Sequence, residues 1–97
     1  MLKILVIYSS LVLPVHDAPT GWLYGWDCCS TSDCFQERDA NVREAYDGYH
    51  IVSTGEIIVY KDKRIKQSKD QFYHRCTRFG DESAKRSICL YVPMKGM

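Results

Sequence analysis

Cysteine and histidine carry most of the chemical potential of this 97-residue chain. Three of its five cysteines, Cys28, Cys29 and Cys34, lie within seven positions, and Cys76 and Cys89 follow far downstream. Such a set supports disulfide bonds, metal coordination or a nucleophilic thiol. Each of these chemistries requires the fold to bring the two ends of the chain together.

Disulfide bonds are the interpretation that the composition favours, because a chain this short buries a limited fraction of its surface and needs additional constraints. A bridge between adjacent Cys28 and Cys29 would strain the peptide. Two bridges among five cysteines leave fifteen arrangements, among which the sequence does not choose. We expect Cys76 and Cys89 each to be tethered to the 28–34 segment, with one cysteine left over.

Metal binding is the first alternative. If the chain stayed in the cytosol, the five cysteines and His74 would form an ample ligand set for tetrahedral zinc, although no paired C-x₂-C motif is present. If a mature chain began at His16, its amino group and imidazole could chelate copper, and His74 could complete a site of the histidine-brace type. The simpler interpretation is that His16 is solvated and His74 is a strand residue beside Cys76. On this interpretation we expect no cofactor, and copper or zinc is the alternative.

A catalytic role has little support. His74 and Cys76 would share one face of a strand, either as a Cys–His pair or as two residues that face the core. No C-x-x-C redox motif, G-x-S-x-G elbow or phosphate-binding loop is present. The sequence therefore identifies no catalytic residue and favours a non-enzymatic function.

Three aromatic residues at a spacing of two, Trp22, Tyr24 and Trp26, would share one face of an extended segment. An exposed row of this kind could bind a sugar or a base. We favour packing against a small disulfide-rich core instead, because such a core needs large side chains.

The amino terminus has the pattern of a secretory signal. A lysine at position 3 precedes an apolar run over residues 4–13, which is too short to span a bilayer as a helix. We therefore expect a signal peptide over residues 1–15, with a boundary as late as 18, and one cysteine-stapled domain over 16–97 in the periplasm or outside the cell. The mature chain would have no transmembrane segment. The alternative is an uncleaved intracellular or virion-associated interaction module in which the run forms a strand.

Charge is distributed unevenly although the net charge is +1. Residues 16–56 contain eight acids against two arginines, and residues 57–97 contain ten basic residues against four acids. We expect the two halves to fold onto each other and neutralise; the alternative is an unknown protein partner or self-association. The basic run over 61–69, followed by Arg75 and Arg78 with Phe72 and Tyr73 between, is a weak nucleic-acid signal, and a solvated edge explains it more simply.

The remainder of the chain predicts strands over residues 42–46, 49–53, 56–60, 72–76 and 87–92. Asp47-Gly48 is typical of a tight hairpin turn between the first two. Residues 29–34 predict a turn or a single helical turn that the polar residues 35–41 could extend. The predicted fold is a small all-β domain, a five-stranded antiparallel meander or small barrel with a disulfide-tethered N-terminal loop or short helical turn.

The order of the motifs resembles a group of small uncharacterised cysteine-rich exported proteins of Gram-negative bacteria. The matching stretches are His16-Asp17, Cys28-Cys29-Ser30-Thr31-Ser32-Asp33-Cys34, Thr54-Gly55-Glu56, Ser68-Lys69-Asp70, His74-Arg75-Cys76 and Arg86-Ser87-Ile88-Cys89-Leu90-Tyr91-Val92-Pro93. The gap between His16-Asp17 and the first cysteine is longer here, and an alanine-rich cleavage site is missing. The resemblance implies export and a five-cysteine framework, and no catalytic residue. The function we expect is therefore a small exported, disulfide-stabilised binding or structural accessory module.

Overall fold

Seven short strands in two sheets form the framework of the protein. The computed structural model describes residues 17–29 and 33–94. The elements, in chain order, are helix α1 (Trp26–Cys29), β1 (Asp33–Glu37), a 3₁₀ turn (Asp39–Asn41), β2 (Val42–Ala45), β3 (Gly48–Ile51), β4 (Glu56–Ile58), β5 (Ile65–Gln67), β6 (Tyr73–Thr77), a second 3₁₀ turn (Arg78–Gly80) and β7 (Cys89–Val92). The predicted small all-β class is confirmed.

The three-stranded sheet is an antiparallel meander of β2, β3 and β4. The expected hairpin is present, but the turn consists of Tyr46 and Asp47, and Gly48 already pairs with Ala45 in the ladder. Gly48 has a φ of +143°, and a Cβ added to it would lie 2.4 Å from the carbonyl oxygen of Ile58. Glycine is therefore required here both by conformation and by the close approach of β4.

The four-stranded sheet has the order β1-β6-β7-β5, with β5 parallel to β7 and the other pairs antiparallel. The single predicted meander is thus divided into two sheets. β1 lies where a turn or helical turn was expected, and β5 lies inside the predicted basic edge. Each has only one aromatic or β-branched residue, Phe35 in β1 and Ile65 in β5, so pairing with the buried strands β6 and β7 determines their conformation.

Strand β6 is the centre of the fold, because all five of its residues are buried. Its side chains alternate between the two faces of the sheet, which places His74 and Cys76 on one side and Tyr73 and Arg75 on the other. The first side is covered by the N-terminal segment 17–29, and the second faces the three-stranded sheet.

Two separate apolar clusters result from this layering. One lies under the N-terminal segment and consists of Ala18, Tyr24, Cys28, Cys29, Cys34, Cys76, Cys89 and Tyr91. The other lies between the sheets and consists of Val42, Ile51, Ile58, Tyr73 and Leu90. Strands β6 and β7 contribute residues to both clusters, so they connect the two parts of the core.

Charge neutralisation between the halves is also observed. Among residues 17–29 and 33–94, three ion pairs join an acid of the first half to a base of the second: Asp27–Lys66, Glu56–Arg64 and Glu37–Arg75. No helix within residues 17–29 and 33–94 is long and apolar enough to cross a membrane.

Candidate functional site

Four of the five cysteines form two disulfide bonds, Cys28–Cys89 and Cys34–Cys76. Cys34 and Cys76 are direct partners across β1 and β6, and Cys89 is the partner of Cys76 across β6 and β7. Each bridge therefore ties the 28–34 segment to a strand that bears a downstream cysteine, as we expected from the sequence.

Cys29 belongs to neither bridge, and its sulfur lies 3.1 Å from the sulfur of Cys34. Burial raises the pKa of the Cys29 thiol, and the carboxylates of Asp33 and Asp17 raise it further. The thiolate is the reactive form of cysteine, and this environment disfavours it. The surroundings of Cys29 therefore protect its sulfur and do not activate it.

His74 is fully buried, and both of its ring nitrogens have hydrogen-bond partners. Nε2 lies 2.8 and 3.0 Å from the two carboxylate oxygens of Asp70, and Nδ1 lies 2.9 Å from the hydroxyl of Tyr24. Because an ionised carboxylate can only accept, Nε2 carries a proton. In the neutral ring, Nδ1 then accepts the hydroxyl proton of Tyr24, whose pKa is raised mainly by burial.

Asp70 is the centre of this network. Its carboxylate also accepts hydrogen bonds from Trp22 Nε1 at 2.9 Å, Thr20 Oγ1 at 2.5 Å, Ser68 Oγ at 2.8 Å and the amide of Phe72 at 2.9 Å. Burial alone would raise the pKa of Asp70, but the hydrogen bonds from Thr20, His74 and Trp22 lower it overall. The ionised carboxylate thus fixes the N-terminal segment against β6, which is a structural role.

The metal hypothesis is not supported by a ligand cluster in the described part of the chain. Residues 17–29 and 33–94 contain no group of three or more His, Cys, Asp or Glu side chains that could hold a metal ion. His74 uses both nitrogens, and four cysteines are in disulfides. His16 lies outside the described residues, so the copper or zinc interpretation stays a prediction that metal analysis of the purified mature protein would test.

The aromatic row is divided by the fold. Trp22 is half-buried and Tyr24 is buried, with their rings 5.1 Å apart, whereas Trp26 is 76% exposed at the start of α1. Both inward rings also contact Tyr91 of β7. Packing therefore accounts for Trp22 and Tyr24, and the three residues do not form one binding surface.

The sequence grouped one arginine, Arg75, with the basic run as a weak nucleic-acid signal, but the structure buries it. Arg75 is fully buried, and its Nε donates to Glu37 at 3.0 Å. Its other nitrogens donate to the hydroxyl of Ser87 at 3.1 Å and to the backbone carbonyl of Glu82 at 2.5 Å. The guanidinium also lies 5.3 Å from the ring centroid of Phe35. Since each of its three guanidinium nitrogens donates to a partner within the fold, Arg75 has a structural role and is not available to a ligand.

A second group of arginines lines a cleft at the surface. A cleft of about 700 Å³ opens between the start of β5 and the loop before β7, and it is lined by Arg64, Arg78, Ala84, Arg86, Ser87 and Ile88. The excess of basic residues in the second half of the sequence is a signal for this site. Sequence could not locate it, because its arginines are separated by up to 22 positions.

Comparison with known proteins found no matching family model, no matching curated protein and no matching solved structure. Function is therefore inferred from the residues and their geometry.

Proposed function

We propose that this protein is an exported binding module whose fold is held by two disulfides and whose binding surface is the arginine-lined cleft. The observation that supports the proposal most is the pair of bridges, Cys28–Cys89 and Cys34–Cys76, since disulfides persist in oxidising compartments. The apolar run over residues 4–13 and the resemblance to exported Gram-negative proteins support export as well.

The packing of the N-terminal segment favours the earlier of the two expected cleavage positions. Asp17 pairs with Leu23 in a β-bridge, and the amide of Ala18 donates to the carbonyl of Trp22 at 2.8 Å. Ala18 is also a buried member of the first apolar cluster. Cleavage after residue 18 would remove these contacts, so we propose a mature chain that begins at residue 16.

The cleft is the surface that we assign to binding because its position is fixed by the folded framework. Arg64 Nη1 donates to the carboxylate of Glu56 at 3.0 Å and to the carbonyl of Ser87 at 2.9 Å. The hydroxyl and amide of Ser87 in turn donate to Glu56 at 2.7 and 2.9 Å. These bonds join β4, β5 and the loop before β7 into one rigid floor.

Intact mass of the protein isolated from its source tests export. We expect a chain that lacks residues 1–15 and has four hydrogen atoms fewer than the reduced form, one pair for each bridge. A full-length, fully reduced chain would instead support the uncleaved intracellular module. As a matched control, Leu5→Arg should block processing because it interrupts the apolar run, whereas Tyr8→Phe should not.

A further inference from the structure

Two of the cleft's arginines make no direct contact with a carboxylate in the part of the chain that the structure describes. Within residues 17–29 and 33–94, neither Arg78 nor Arg86 forms an ion pair, and both are exposed. Arg78 instead lies with its guanidinium 5.8 Å from the ring centroid of Phe79. A guanidinium that contacts an aromatic face has less conformational freedom, but its N–H groups can still donate hydrogen bonds to a ligand.

Arg64, by contrast, is part of the wall. It donates to Asp62 through Nε at 3.0 Å and through Nη2 at 2.8 Å, in addition to Glu56. Hydrogen bonds from Arg64, helped by the charge of Arg86, lower the pKa of Asp62 to about 2. Arg64 thus holds the carboxylates of Asp62 and Glu56. The three arginines that line the cleft carry three positive charges against these two negative charges.

The backbone conformation of Phe79 orients its ring toward the guanidinium of the neighbouring Arg78. Phe79 has a φ of +59°, the left-handed region that a non-glycine residue occupies at a cost, and its ring is 83% exposed. Such strain is retained where a structure holds it in place, and it is enriched at ligand sites. Here it places an exposed ring beside Arg78, which is one of the residues that line the cleft.

From this geometry we propose that Arg78 and Arg86 form a binding site for a tetrahedral oxyanion, a phosphate or sulfate ester carried by a small or extended ligand. This assignment rests on the proposed binding role of the cleft. Guanidinium groups match the oxygen spacing of such anions and bind them through paired, charge-assisted hydrogen bonds. The residues that line the cleft include no aromatic ring, so a base that entered it would have no ring to stack on, which favours a simple oxyanion over nucleic acid.

The test is an NMR titration of ¹⁵N-labelled, oxidised mature protein with sodium pyrophosphate at about 50 mM salt, where surface charges are only partly screened. We expect saturable shifts of amides in 78–80 and 84–88. Arg78→Gln and Arg86→Gln should each weaken binding by at least about fivefold, since each removes a charge-assisted pair. Lys85→Gln, which removes an exposed charge beside Arg86 but outside the cleft lining, should change affinity by less than about twofold.

Titrations with phenyl phosphate and phenyl sulfate distinguish the two esters, because the compounds differ only in the oxyanion. Binding of either compound supports the site, and the one with the lower Kd indicates which ester the site prefers. The inference is overturned if no saturable shift occurs by about 20 mM pyrophosphate, an affinity too weak to be specific. It is equally overturned if Lys85→Gln weakens binding as much as Arg86→Gln. Because these measurements use purified protein, their failure leaves the export test unaffected, and failed export leaves the titration interpretable.

Discussion

The imidazole of His74 and the carboxylate of Asp70, four residues apart in the chain, face each other across hydrogen bonds of 2.8 and 3.0 Å in the interior. Trp22, 48 positions before Asp70, donates to the same carboxylate at 2.9 Å. One ionised side chain thus fastens the N-terminal segment to the central strand, and its charge state should control the stability of that attachment.

Stability should therefore fall in acid. Since the pKa of Asp70 is lowered in the folded state, its contribution is present above its unfolded value of about 4 and is lost as pH falls below that toward the folded pKa. Asp70→Asn should cost about 2–3 kcal/mol at pH 7 and flatten this dependence. Urea unfolding from pH 7 to pH 2 measures both effects. Glu82→Gln, at an exposed carboxylate, is the control; an unchanged acid slope in Asp70→Asn would contradict the assignment.

The two tryptophans should differ sharply in their contributions. Trp22→Phe removes the hydrogen bond to Asp70 and disturbs the ring contact with His74, so we expect a loss of about 1–2 kcal/mol. Trp26→Phe, at an exposed position, should stay within about 0.5 kcal/mol. Thermal unfolding of both variants provides the comparison, and equal losses would show that Trp22 is not anchored as described.

Each disulfide should contribute a large share of the total stability. The bridges close loops of 61 and 42 residues, for which the chain-entropy model gives about 4 kcal/mol each. We therefore expect Cys28→Ala with Cys89→Ala to destabilise about as strongly as Cys34→Ala with Cys76→Ala. Guanidinium unfolding tests this; a loss below about 1 kcal/mol in either double variant would be inconsistent with a structural bridge.

The buried ion pair of Arg75 and Glu37 should be costly to break. Arg75→Met leaves a carboxylate buried without its cation, and we expect a loss of about 3–5 kcal/mol. Arg78→Met, at an exposed arginine, should change stability by less than about 0.5 kcal/mol. Adding Glu37→Gln to Arg75→Met should recover part of the loss, because the stranded charge is then removed. Failure to recover any stability would argue against charge burial as the cause.

Cys29 should react slowly with alkylating agents. Burial, Asp33 and Asp17 all raise its thiol pKa, so the thiolate is scarce at neutral pH and the sulfur is inaccessible. We expect iodoacetamide to label it at least about tenfold more slowly in native protein than in guanidinium-unfolded protein. Mass spectrometry after timed quenching gives both rates. Comparable rates would mean that this segment opens readily.

Local patterns in the sequence predicted part of the fold. The hairpin of β3 and β4 and the strands at Tyr73–Thr77 and Cys89–Val92 combine apolar or β-branched residues with nearby turn residues. Such residues favour strand and turn conformations locally, so these elements could be predicted from the sequence. β1 and β5 lack that signal. Their strand conformation comes from pairing with β6 and β7, so it depends on partners distant in sequence.

The sequence predicted which types of residue the candidate site would contain, but not where they would lie in the fold. The sequence showed an excess of basic residues after position 56, and spacing indicated that His74 and Cys76 share a face. It could not show that His74 is enclosed by Tyr24 and Asp70, because those contacts depend on how segments 17–29 and 68–74 pack. Nor could it separate Arg75, whose donors are used internally, from Arg78, whose donors face solvent.

By itself, then, the sequence determined an all-β chain with a cysteine segment able to tie its two ends together, since strand periodicity and cysteine spacing are local properties. Tertiary structure decided the pairing of Cys28 with Cys89 and Cys34 with Cys76, the division into two sheets, and which arginines border the cleft. Those outcomes depend on burial and charge pairing between residues tens of positions apart, because only the packed chain determines which polar groups satisfy one another and which remain available to a ligand.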